Sequence, residues 1–368
     1  MATLMTERKR SALTRNRLPR YSPWAIAAGA VVVAAALMSL IGFNVFGWAV
    51  LSAVLFAVAN VSAAAIVEGR RKAVDKMMTS LVYGAFLVAL LPLVSVIWTV
   101  LVQGIPGLLT PGFLTTSMNG VTGAVDNASV ENGTPVLGGV YHALVGSVLI
   151  TLWATLISVP VGLLTAIYLV EYSAGNRFSK AITFLVDVMT GIPSIVAGLF
   201  AAAFFAMILG PGTKTGFVAA VALSVLMIPV VVRSSEEMLK IVPNELREAA
   251  YALGVRKWRT ILKVVIPTAI SGIASGITLA IARVIGETAP LLVTAGFATT
   301  INMNVFAGWM ASLPTFIYTQ IMTPTSPSNA DPSTQRAWAA ALLLIILVML
   351  LNLGARLVAR LFAPKTGR

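Results

Sequence analysis

Residues 77–102 read MMTSLVYGAFLVALLPLVSVIWTVLV, without one charged side chain. A helix needs about 20 apolar residues to cross the hydrocarbon core of a bilayer, so this stretch can span it. Outward from it, similar charge-free or nearly charge-free spans occupy 24–43, 45–67, 139–170, 181–209, 215–232, 264–285 and 337–357. The whole chain of 368 residues is 58% apolar and only 11% charged, with a mean hydropathy of +0.91, whereas a soluble domain carries about 25% charged residues. The expected fold is an all-α polytopic membrane protein with about eight transmembrane helices. A soluble enzyme and a disordered chain are excluded. The lack of any cysteine also excludes a disulfide scaffold or a cysteine-based metal site.

The net charge of +13 would suggest nucleic acid in a soluble protein, but its distribution gives another reading. With the N-terminus in the cytoplasm, the inner segments collect all of the 26 Lys and Arg residues except Lys214, Arg283 and Arg336. That bias is the positive-inside rule of an oriented bundle, and no nucleic-acid partner is needed. Both termini are expected to be cytoplasmic. The first span is longer than the apolar region of a signal peptide and reads as an uncleaved anchor.

The organisation that follows is a basic N-terminus (1–20), an appended transmembrane hairpin with a basic linker (21–76), and a first core helix with an external loop (77–138). A core with a cytoplasmic loop at 234–263 occupies 139–362, and a cytoplasmic tail closes the chain (363–368). Residues 103–138 are rich in Gly, Pro, Ser, Thr and Asn and contain no Lys or Arg, as an external loop would. Residues 288–330 carry no charge but are interrupted by Pro290, Pro314, Pro324 and Pro327. They read as an external apolar cap, or in part as a segment that dips back toward the membrane.

The loop at 234–263 carries the sharpest pattern. Ser234 and Glu237 have capping-box spacing, so a short helix can begin there and end at Pro243. Asn244 can cap a second helix in which Leu246, Ala249, Ala250 and Leu253 share one face. Gly254 breaks the chain, and Trp258, Ile261, Leu262 and Val265 then repeat the spacing among Arg256, Lys257, Arg259 and Lys263. Two short amphipathic helices meeting at a glycine fit an anionic membrane surface, filler against the bundle, or a knob for a cytoplasmic partner. The small face of Ala249, Ala250 and Gly254 favours close approach by another protein.

Glu248-Ala249-Ala250, then Gly254, then Val264-Val265-Ile266-Pro267 resemble the EAA loop of ABC importer permeases, Glu-Ala-Ala-x3-Gly-x9-Ile-x-Leu-Pro. Val264 and Ile266 depart conservatively from it. The resemblance implies a type I, MetI-like six-helix core, to which the N-terminal hairpin is an addition. It also implies that Glu248, Ala249, Ala250, Gly254 and Pro267 couple the chain to a separate ATPase. No P-loop is present: in Gly210-Pro211-Gly212-Thr213-Lys214-Thr215, Thr213 stands where that motif needs glycine. The chain is expected to be non-catalytic and to hold no cofactor, with ATP and Mg bound by the partner.

Charges within spans are costly and mark candidate functional sites. Arg233 is either a snorkelling anchor or a pathway residue, and Asp187 reads as a helix-start or interface charge. Arg283 and Glu287 lie four residues apart, so they can form a structural ion pair, or Arg283 can offer its planar donor fork to a phosphate-like oxyanion. The sole histidine, His142, reads as interfacial, and a multi-histidine metal site is excluded.

Ala282-Arg283-Val284-Ile285-Gly286-Glu287-Thr288-Ala289-Pro290-Leu291-Leu292 is similar to the signature of the PstA family of phosphate-importer permeases. So are Gly191–Phe200 and Ile228–Leu239. The resemblance implies a substrate pathway containing Arg233, Arg283 and Glu287 in a bacterial plasma membrane. It also implies a PstC-like permease, a PstB-like ATPase dimer, an extracytoplasmic phosphate-binding protein, phosphate itself and surrounding lipid. Competing expectations are a sulfate or molybdate permease, a secondary transporter or channel, and a membrane-bound sensor.

Overall fold

A computed structural model describes residues 18–173 and 175–362. The expectations for residues 1–17 and for the tail 363–368 lie outside them. Among the described residues every regular element is helical. Seven helices are long and apolar enough to cross a membrane, and one sharply bent pair brings the number to eight if it counts as a single span.

The chain divides into two compact units, Met1–Ile97 and Trp98–Arg368. In the first, α1 (Ser22–Ile41) and α2 (Val45–Val67) form the expected hairpin. Asn44 caps α2 by accepting from the N–H groups of Phe46 and Gly47, which satisfies donors that a helix start leaves orphaned. The stretch read as a linker is mostly helical, because α3 (Arg70–Leu108) already begins at Arg70. Just before it, the Leu18 N–H donates to Glu68 and Lys76 pairs with it at 3.1 Å. The backbone donor first, then Lys76, hold the Glu68 carboxyl below its ordinary pKa.

In the second unit, α4 (Gly123–Glu131) gives the loop after α3 a short helix. Helix α5 (Tyr141–Ile167) continues into a π-helical turn at Tyr168–Tyr172. The expected span 181–209 is broken. Helices α6 (Arg177–Thr190) and α7 (Ser194–Leu209) meet at 108°, because Pro193 cannot continue a helix and biases Ile192 away from helical geometry. Polar and apolar residues segregate strongly on α6, while α7 is uniformly apolar. That division suits one helix to the membrane surface and the other to its interior.

Helix α8 (Gly216–Ile241) is the centre of the unit. Leu223, Met227 and Val231 are fully buried against Ile150 and Ala154 of α5. Small residues permit the close approach: a side-chain carbon at Gly162 would lie 2.7 Å from Val231, as expected where helices associate without a hydrophobic driving force. The capping-box expectation fails here. Residues 234–237 lie inside α8, which ends at Ile241 before Pro243, because continuing the helix satisfies the backbone donors that a cap would serve.

The chain then forms α9 (Asn244–Ala252), α10 (Lys257–Thr260), a second π-turn (Ile261–Val265) and α11 (Ile266–Val284). From Lys257 to Val284 these elements form one continuous span. The expected second amphipathic helix is therefore the start of a crossing rather than a separate element.

Residues 288–330 are not a superficial cap. Helices α12 (Ala289–Thr294) and α13 (Leu313–Met322) flank a loop that enters the core. Val305 and Met310 join the α5–α8 cluster, and Leu313 and Phe316 pack with Ala339 and Ala340 of α14 (Asp331–Phe362). His142 is likewise buried, at 2% exposure, with its ring edge-on to Phe316 at 5.4 Å, because α13 folds over the end of α5. The interfacial reading of this histidine is corrected.

Candidate functional site

Two groups of candidate residues emerge. The first is the α9 turn. Its end is a Schellman motif: the Gly254 N–H donates to Tyr251 O at 2.9 Å and the Val255 N–H to Ala250 O at 3.1 Å. This closure needs a left-handed residue, and Gly254 has φ +74°. Glu248, Ala249, Gly254 and Pro267 are exposed. Ala250 points inward at 9% exposure, so the free small face consists of Ala249 and Gly254 without it. Asn244 does not cap α9; its side-chain oxygen instead accepts from Arg247 at 3.1 Å.

Arg247, a residue that the sequence pattern does not single out, fixes the turn in place. Its guanidinium donates to Glu171 through both Nε and Nη2 (3.0 and 2.9 Å), to the carbonyls of Leu239 (2.9 Å) and Val242 (2.6 Å), and to Asn244. All its N–H groups are used. The two carbonyls belong to the end of α8, where helical acceptors lack partners. The signal for Glu171 was its position, since it is the first charge after the apolar run 139–170.

The second group consists of the charges associated with spans. Arg233 bonds Glu236 at 2.8 Å through Nη1 and Asp187 of α6 through Nη2, and Glu236 also pairs with Lys240 at 2.7 Å. Arg233 and Asp187, read separately in the sequence, are thus brought together in a chain of alternating charge that neutralises itself. Arg283 behaves differently. It lies exposed in the last turn of α11, and no ion pair joins it to Glu287, because the helix ends at Val284 and Glu287 falls in the following turn. The structural-pair reading is overturned. Beside Glu287, an open, mainly apolar hollow of about 420 Å³ is lined by Thr288, Leu292, Pro314, Tyr318 and Met322 among others. Among the described residues no group of three or more His, Asp or Glu gathers as metal ligands.

Residues 158–368 match the family of binding-protein-dependent transport system inner membrane components. The chain is 47% identical over 289 residues to the phosphate transport system permease protein PstA 1 of Mycobacterium tuberculosis, covering 78% of this chain and 88% of that protein. The chain belongs to the PstA branch of this family. It is also 38% identical to PstA of Pasteurella multocida, covering 78% of this chain and 95% of that protein. A chain of the inward-facing MetNI methionine ABC transporter is 22% identical with a TM-score of 0.46, covering 61% of this chain and 94% of that one. As a member of the branch, this permease chain is a multi-pass inner-membrane protein of the ABC permease class. The α9 turn and the Arg283 segment both lie within residues 158–368, the stretch that matches the family.

Proposed function

We propose that the chain is a non-catalytic transmembrane subunit of an ATP-driven importer of inorganic phosphate. The observation that carries this reading is Arg283, an exposed guanidinium with no counter-ion among the described residues and the only charge in the sequence between Lys263 and Glu287. Its planar donor fork matches a tetrahedral oxyanion and can replace hydration lost on entry. The names of the relatives support phosphate as that anion.

The chain works beside a PstC-like permease, receives phosphate from an extracytoplasmic binding protein, and takes its power from a PstB-like ATPase dimer that binds ATP and Mg. Both termini and the α9 turn face the cytoplasm. ATPase closure moves Glu248, Ala249 and Gly254 and switches the bundle between outward and inward openings, with Arg233 and Glu287 along the pathway.

The test is uptake of labelled phosphate by vesicles holding the complete complex. Arg283→Ala should abolish uptake while ATPase co-purification is retained. Unlabelled phosphate should compete, and equal sulfate or molybdate should not. Competition by either anion would overturn phosphate selectivity, and full uptake by Arg283→Ala would overturn the role of the arginine.

A further inference from the structure

The two sides of the α9 turn grip the same five residues. On one side, Arg247 of α9 holds Glu171 with two hydrogen bonds, at 3.0 and 2.9 Å. On the other, beyond Gly254, Lys257 lies 5.1 Å from the ring centre of Tyr172. Glu171 and Tyr172 are the last residues of the π-turn that ends α5. The Arg247 and Glu171 side chains are only 12% and 4% exposed. A buried pair of this kind keeps its geometry, because separating it leaves an uncompensated charge.

The path continues into the bundle. Ala166, two residues before the π-turn, packs in one cluster with Leu239 and Val242 at the end of α8 and with Val265 and Ile273 of the following span. The carbonyls of Leu239 and Val242 are the same ones that Arg247 binds. Single π-turns are extra-residue defects in a helix and occur often at functional positions. Here one ends α5 and the other, Ile261–Val265, begins the span after α9.

We infer that Glu171 and Arg247 are positioning residues that lock the α9 turn to the end of α5, so that the two move as one body and α5 carries the motion along α8. This rests on the reading of the chain as an ABC importer permease and adds the route by which displacement of α9 reaches the bundle. Surface exposure of Glu248, Ala249 and Gly254 explains where a partner touches, whereas the Glu171–Arg247 lock explains what the contact pulls.

The experiment uses the complete complex in proteoliposomes. Glu171→Gln and Arg247→Lys should retain ATPase association and hydrolysis, while anion moved per ATP falls about tenfold, within the range of typical coupling between sites. The conservative variant Glu171→Asp, which keeps the carboxylate for Arg247, should recover much of that ratio. Parallel loss of hydrolysis and transport, or an unchanged ratio, would overturn the inference.

A second measurement does not depend on the transported anion or on variants of the lock. Because the chain has no cysteine, spin labels at Ser173→Cys and Ala252→Cys report the separation of the α5 end from α9 in the otherwise native complex. The separation should be the same in nucleotide-free and ATP-bound states. A shift between the two states would overturn the inference. Failure of the parent reading shows as an ATPase that does not associate or phosphate that is not carried, whereas failure of the lock shows as a label separation that shifts in a complex that still associates and carries phosphate.

Discussion

Arg336 and Asp126, 210 residues apart, form a two-pronged ion pair at 2.9 and 2.6 Å in which Arg336 is 2% exposed and Asp126 is fully buried. The remaining donors of Arg336 reach Leu137 O, Gln320, Thr325 and Ser333. The pair thereby fastens the loop helix α4 to the start of α14. Asn127 adds a second fastening, with its side chain bonded to Ser326 and Ser328.

Removing one partner leaves the other buried without compensation. Asp126→Leu or Arg336→Met should each lower stability by about 3–5 kcal/mol, and the double variant should recover part of that loss. Thermal unfolding of the detergent-solubilised protein measures this. Single variants that melt like the wild type would contradict the buried pair.

Gly146 of α5 faces the backbone carbonyl of Ala311, with no room for a side-chain carbon. Gly146→Ala should force the 310–312 segment away from α5 and destabilise by about 1–3 kcal/mol or more. Gly286→Ala, where nothing lies within 4 Å, should be tolerated. Yield of monodisperse protein and melting temperature compare the two.

Arg233 sits between two carboxylates at partial exposure, 33% for its side chain, where an ion pair contributes about 1 kcal/mol or less. Arg233→Gln should therefore leave the melting temperature nearly unchanged. If Arg233 serves the pathway, uptake should fall about tenfold or more, a loss of roughly 1.4 kcal/mol in barrier terms. Asp187→Asn should act more weakly, since Glu236 still pairs with the arginine. Paired melting and uptake measurements separate a structural role from a transport role.

Gly254 closes α9 with φ +74°. An L-residue there costs about 1–2 kcal/mol, so Gly254→Ala should loosen the turn locally, and Gly254→Pro should remove the Gly254 N–H bond to Tyr251. Co-purification with the ATPase should weaken for alanine and be lost for proline. Unchanged binding by the proline variant would argue against this turn as the contact.

The crossings were legible because each depends on a local property, a long run without charge, and α2 begins and ends where its hydropathy does. The Schellman turn was legible in outline because Gly254 is its chemical requirement. Pairings across the chain were not. Nothing near Arg247 distinguishes it from Arg256, and its partner Glu171 lies 76 residues away. The Ser234–Glu237 spacing misled because a capping box is only an option for a helix start, and α8 had no reason to stop. The break at 191–193 had a local signal in Pro193 that the hydropathy of its flanks concealed. His142 was misplaced because its depth is set by α13, from a segment whose prolines suggested a surface loop.

Helix α3 has 39 residues, a contour length of about 58 Å at about 1.5 Å per residue. The oily layer it must traverse is about 30 Å thick. Even the uncharged part from Met77 onward exceeds that thickness, so a helix of this length has to lean, bend or carry its ends out of the oil. Leaning spreads its outline sideways, and a thicker bilayer would stand it more upright. Bilayer thickness would thus bear on a helix that carries none of the candidate anion-binding groups.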